Sequence, residues 1–331
     1  MISIRNDSLR IAFPEVHTDA EFTCEFQRTL RIPDDESVHF LPPGLGDFPL
    51  RNIDRFGGRV PAAWRERGGV MLPMFQSEAL WINFGFGNKY PCLVKIAAGG
   101  INAVSGETWT DDVTREPQNY IVSTDQPWLD GFCVAKDEIR QFVAMPLGQG
   151  YTAEEQLTGK ADVGGLQLVV YPMKAKAWEK MKKKRAQELL DDDHSVCYCL
   201  MEAGPAMGLG AGGRMRQEIY DDKYDFDVWD LDHPRRCFIH IANSLAWRVI
   251  TGEAPPTLPP TAEQYTSAGL PWFDWYDDGL SAIEGSPVLA GLKTVKEIGE
   301  AKGETPLPEN NPVGNIKLQP LGPGQVREWT P

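Results

Sequence analysis

Positive charge is what this chain is short of. Against 47 Asp and Glu it carries 33 Lys and Arg, a formal charge of −14. A surface that negative repels phosphate backbones and anionic lipid, which argues against nucleic acid and membrane as partners. Cysteine is sparse as well. Cys24, Cys92, Cys133, Cys197, Cys199 and Cys237 are scattered without a CxxC pair, so a disulfide framework is not expected. No apolar run approaches the roughly 20 residues of a membrane-spanning helix. Residues 1–8 lack the apolar core of a signal peptide, and the expected location is the cytoplasm. Missing too are GxSxG, Walker A, HExxH and SxxK, the short signatures of common catalytic sites.

What the chain has is β pattern. In residues 22–32, Phe22, Cys24, Phe26, Leu30 and Ile32 fall on one face, and only Arg28 breaks it. A period of two over this length predicts a half-buried strand. Residues 76–172 run as short apolar segments punctuated by glycine, which predicts about six to eight strands of an antiparallel sheet. Residues 78–84 and 92–98 read as neighbouring strands, and Gly99-Gly100 as the turn to a return strand at 101–104. The Pro- and Gly-interrupted segment 41–49 reads as a loop packed through Leu45 and Phe48. Thr152 caps a single helical turn.

Composition shifts after Pro172. Residues 174–190 suit a solvated charged helix, or a docking site for an acidic partner; the segment is basic in its first half and closes with Asp191-Asp-Asp193, against the preference of the helix dipole. Residues 195–201 and 236–242 read as strands, and 243–250 as a short helix carrying Trp247 and stopped by Gly252. Thr261-Ala-Glu-Gln264 and Thr294-Val-Lys-Glu297 have the form of capping boxes opening helices. The resulting fold class is mainly β: an antiparallel sandwich or jelly-roll-like body over 1–172. A helical insertion at 173–194, a smaller mixed α+β region at 195–303 and an extended Pro- and Gly-rich tail at 304–331 follow.

Four features carry candidate chemistry. Gly208-Leu-Gly-Ala-Gly-Gly213 satisfies the letter of GxGxxG, but the wider chain is not βαβ. A flexible hairpin or binding loop formed by Gly208, Gly210, Gly213 and Arg214 is the expectation. Residues 221–233 hold six aspartates and one histidine. They read as a solvated acidic loop, or as oxygen ligands for Ca²⁺ or another divalent cation through Asp225, Asp227, Asp230, Asp232 and His233. His194, Cys197 and Cys199 are zinc-ligand types that His233, Cys237 and His240 would have to complete in space. The segment Gly269-Leu-Pro-Trp-Phe-Asp-Trp-Tyr-Asp-Asp278 places Trp272 and Trp275 in an aromatic–acidic loop, read as packing or as a surface for a partner or a carbohydrate.

At Gln126-Pro-Trp-Leu-Asp-Gly131, at Arg140–Gly148, at Gly150–Gly159 and at Gly269-Leu-Pro-Trp-Phe-Asp274 the chain resembles a group of uncharacterised microbial (bacterial and fungal) β-rich proteins. The resemblance implies a recurring fold and carries over no catalytic residue. The expectation for function is a non-catalytic binding or self-assembly protein, contacting itself or another protein without a cofactor. The alternative is a divalent-cation-dependent hydrolase or carbohydrate-binding protein built on the 221–233 and 269–278 segments.

Overall fold

A computed structural model describes residues 1–35, 37–85, 88–185, 203–274, 279–305 and 307–320. Strands β1 (Ile2–Arg5) and β2 (Ser8–Ala12) form a hairpin. Its turn residues Asn6 and Asp7 take φ of +49° and +58°, as a two-residue turn of the primed type demands. Strand β3 (Glu21–Thr29) follows the period of two: Phe22, Cys24 and Phe26 are fully buried, as are Leu30 and Ile32 just beyond it. Arg28 is buried too, because its Nε and Nη2 donate to Glu78 Oε1 at 2.8 and 2.7 Å. Next come β4 (Val38–His39), β5 (Gly44–Asp47) and β6 (Arg51–Asn52). Segment 41–49 is therefore not wholly a loop. Its Gly44 fits against the Gln27 and Trp81 side chains, which lets β5 pair with β3; Phe48 is fully buried as expected.

The main body contains β7 (Val70–Met74), β8 (Ala79–Asn83), β9 (Cys92–Ala98), β10 (Ile101–Asn102), β11 (Ile121–Val122) and β12 (Trp128–Leu129). It continues through β13 (Gly131–Ala135), β14 (Glu138–Pro146), β15 (Leu166–Pro172), β16 (Ala203–Arg216) and β17 (Arg235–Asn243). The fold is mainly β, with one largely antiparallel sheet that joins all 17 of these strands. Its spine runs β1–β2–β3–β8–β14–β16–β17–β15–β9. Two parallel pairings interrupt the pattern, β4 with β16 and β7 with β17.

Two expectations are corrected here. Strands β8 and β9 are not neighbours: β8 pairs with β3, β12 and β14, whereas β9 pairs with β10, β11 and β15. The sheet also does not end at residue 172, since β16 and β17 lie inside it. The Gly99 turn is as expected, with φ of +59° and the return strand β10 opposite Ala97 and Ala98.

Helices decorate this body where local signals start them. Helix α1 (Ala62–Arg67) precedes β7, and α2 (Ala153–Thr158) starts from a full capping box at Thr152 and Glu155. Helix α3 (Ala175–Arg185) lies within the expected helical segment, yet it is docked as well as solvated: Trp178 is buried, its ring 4.8 Å from that of Tyr90. Helix α4 (Ser244–Thr251) carries the fully buried Trp247 and ends at Gly252 in the left-handed region. Helix α5 (Ala262–Ser267) opens from the Thr261 capping box, α6 (Pro287–Ala290) is one turn, and α7 (Val295–Ala301) opens from the Thr294 box. Finally β18 (Pro271–Asp274) pairs in parallel with β19 (Lys317–Pro320), so the tail is not uniformly irregular. Among the described residues no helix is long and apolar enough to cross a membrane.

Candidate functional site: an arginine-lined cleft

The glycine run is the first sequence candidate to be relocated. Gly208, Gly210 and Gly213 lie within strand β16, not in a hairpin or binding loop. Glycine is needed there because other chain segments press on the strand. A Cβ on Gly210 would stand 2.8 Å from Tyr151 O, and one on Gly213 would stand 2.3 Å from Pro33 O. Arg214, next along the strand, donates to Glu138 on β14 at 2.6 and 2.8 Å. This run is a packing device.

The aspartates of 221–233 do not converge. Asp222 is buried and its carboxylate accepts from Tyr120 Oη, Trp229 Nε1 and Tyr224 N at 2.8, 2.8 and 2.9 Å. Asp230 is engaged by His233, 2.9 Å from Nδ1, and that bond raises the imidazole pKa. Asp225, Asp227 and Asp232 are exposed. Among the described residues no group of three or more His, Cys, Asp or Glu is placed to hold a metal ion. Nor do the proposed zinc types assemble. Residues 194–199 lie outside the described residues, Cys237 is buried in the core, and His240 stacks on Trp64 with ring centroids 4.8 Å apart. Burial pushes the Cys133 and Cys237 thiols up to about 12, which keeps them protonated and unreactive.

Trp272 is packing rather than surface. It is fully buried, its Nε1 donates to Thr266 Oγ1 at 2.9 Å, and its ring meets Tyr265 edge-on. Trp275 lies outside the described residues. The words around Gln126 also acquire a physical meaning. Gln118, Gln126 and Gln217 are buried, and their side-chain amides substitute for missing ladder rungs. Gln126 accepts from Tyr220 N and donates to Trp128 O and Glu218 O. Gln217 accepts from Asp130 N and donates to the Asp130 carboxylate, which also takes Trp128 Nε1 at 3.0 Å. Burial pushes the Asp130 carboxyl up to about 7.

The built cavity lies elsewhere. A cleft of about 660 Å³ opens between β1 of the first hairpin and the N-terminal part of β17, with β6 and Val70 of β7 behind it. Arg51, Arg55, Arg67 and Arg236 line it, against only two acids, Asp7 and Asp54. Three of the four have their own support. Arg51 donates to Asp7 at 2.9 Å and grips Glu253 through Nε and Nη2. Asp7 also accepts from Leu50 N, so the hairpin turn is tied to the segment leading into β6. Arg67 donates to the carbonyls of Asp162 and Val163 and lies over the Phe238 ring. Among the described residues no carboxylate lies within ion-pair distance of it, although its charge acts on the Glu154 carboxyl. Arg236 stacks on Trp109, whose ring also faces Lys95, and pairs with the exposed Asp111. Arg55 is exposed and has no ion pair among the described residues.

The lip of the cleft is held by His240. Its Nε2 lies 2.9 Å from Gly68 O, and burial pushes its pKa down to about 4, which leaves the ring a neutral donor to that carbonyl. Next to it Gly69 adopts φ of +89° and rests on the β17 backbone, where a Cβ would come within 2.2 Å of Phe238 O. Sequence reasoning missed this site. Arg51, Arg55 and Arg67 are far in sequence from Arg236, and the parallel pairing of β7 with β17 helps bring them together. Compared with known protein families, curated proteins and solved structures, the chain matches none.

Proposed function

We propose that the protein is a non-catalytic binding protein whose ligand site is the arginine-lined cleft and whose ligand is anionic. One observation carries this reading: four arginines converge on one cleft in a chain whose formal charge is −14. Arg51 and Arg236 are already paired with Asp7, Glu253 and Asp111, so the draw on an anion comes from Arg55 and Arg67, which have no ion pair among the described residues, while the remaining acidic surface repels it. The guanidinium groups of Arg51, Arg67 and Arg236 are pre-ordered by Asp7, Glu253, Phe238 and Trp109, so they have little side-chain freedom to lose on binding. The anion belongs to another protein or to another copy of this chain.

Titration calorimetry with a capped oligoglutamate tests the reading. The wild-type protein should bind it at low salt and weaken steeply as salt rises. The triple variant Arg55→Gln, Arg67→Gln, Arg236→Gln should lose at least about tenfold in affinity, because each charge-assisted contact contributes roughly 1.5–3 kcal/mol. Equal affinity in the variant, with an unchanged melting temperature, would refute the cleft as the site.

A further inference from the structure

We infer that the ligand is an extended peptide of alternating apolar and acidic residues that enters the cleft as an added β-strand between β1 and β17. This rests on the binding reading above. Strand β1 pairs with β2 alone among the described residues. Met1 and Ala12 exchange both backbone hydrogen bonds, Met1 N to Ala12 O and Ala12 N to Met1 O. Antiparallel ladders alternate bonded and non-bonded pairs, so Ser3 also faces β2 while the N–H and C=O of Ile2 and Ile4 point away into the cleft. The opposite wall is open in the same way. Residues 235–237 of β17 have β15 on one side and no strand pairing on the other among the described residues; Gly69 closes over Phe238, and β7 pairs from Ile239 onward. Two open strand edges therefore face one slot, and open edges are sites of strand addition.

The walls also set the side-chain pattern. Ile2 and Ile4 sit opposite Ile11 and Leu9 and pack on the core, as does Cys237 across the slot. Arg236 and Phe238 occupy the other face of β17, with Arg67 over Phe238. Successive residues of a strand point to opposite faces, so an inserted segment meets apolar surface at one residue and guanidinium at the next. The four residues of β1 offer about 13 Å of edge at about 3.3 Å per residue.

The probe is a capped pentapeptide, acetyl-Val-Glu-Val-Glu-Val-amide, compared with two isomers N-methylated at alternate amides and with oligoglutamate. The parent should bind at least about tenfold more tightly than either isomer, since each isomer loses the bonds to one wall. On binding, hydrogen exchange at the Ile2 and Ile4 amides should slow by at least about tenfold. If the N-methylated isomers bind as well as the parent and these amides exchange unchanged, strand addition is wrong while oligoglutamate binding still upholds the cleft. If neither the pentapeptide nor oligoglutamate binds, both readings fall.

Discussion

At the scale of single residues, two buried groups pull the pH dependence of stability in opposite directions. Asp130 titrates near 7 in the folded protein, well above the ordinary carboxylate value, because burial disfavours its charge. Its contribution is present below about pH 4 and is lost as pH rises toward 7. His240 titrates near 4 in the folded protein, below the ordinary imidazole value, again through burial. Its contribution is present above about pH 6.5 and is lost as pH falls toward 4. Each effect is on the order of 3–4 kcal/mol at full extent, so they largely cancel in the wild type. Single variants should uncover them. Asp130→Asn should lose stability as pH falls from 6.5 to 4, whereas His240→Gln should lose stability as pH rises from 4 to 7. Urea unfolding across this range measures both slopes, and parallel curves for the two variants would contradict the assignment.

At the scale of elements, β16 shows how glycine can serve packing. Gly213→Ala places a methyl 2.3 Å from a backbone oxygen that cannot rotate away, so the strand or the 30–34 segment must move. The expected cost is about 2–3 kcal/mol, read from the urea midpoint. Gly58→Ala, where no atom lies within 4 Å, is the control and should stay within about 0.5 kcal/mol. The same strand shows what sequence can and cannot disclose. The caps at Thr152, Thr261 and Thr294 were legible because a capping box is complete within four residues. The buried face of β3 was legible because a period of two needs no knowledge of the partner strand. The role of Gly208–Gly213 was not, since the atoms that exclude a Cβ come from Tyr151 and Pro33, remote in the chain. The neighbours of β8 and the cleft were hidden for the same reason: pairing between distant strands leaves no local mark.

At the scale of the whole molecule, the order of strands in space makes the late strands the joint between two early halves. Strands β1, β2, β3, β8 and β14 form one half and β15, β9, β10 and β11 the other. The connection runs through β14–β16, β16–β17 and β17–β15, and no other strand pairing among the described residues joins the halves. A fragment ending at residue 172 would leave β14 and β15 each with an open edge and expose the apolar residues that β16 and β17 cover, among them Phe142, Leu168 and Val170. It would also lose Arg236 and with it one wall of the cleft. Residues 1–172 expressed alone should therefore show no cooperative heat-absorption peak in calorimetry and should aggregate, while the full chain unfolds in one main transition. A sharp, reversible transition in the fragment would mean that the first half closes its own core, and the late strands would then be an attachment to it instead of its joint.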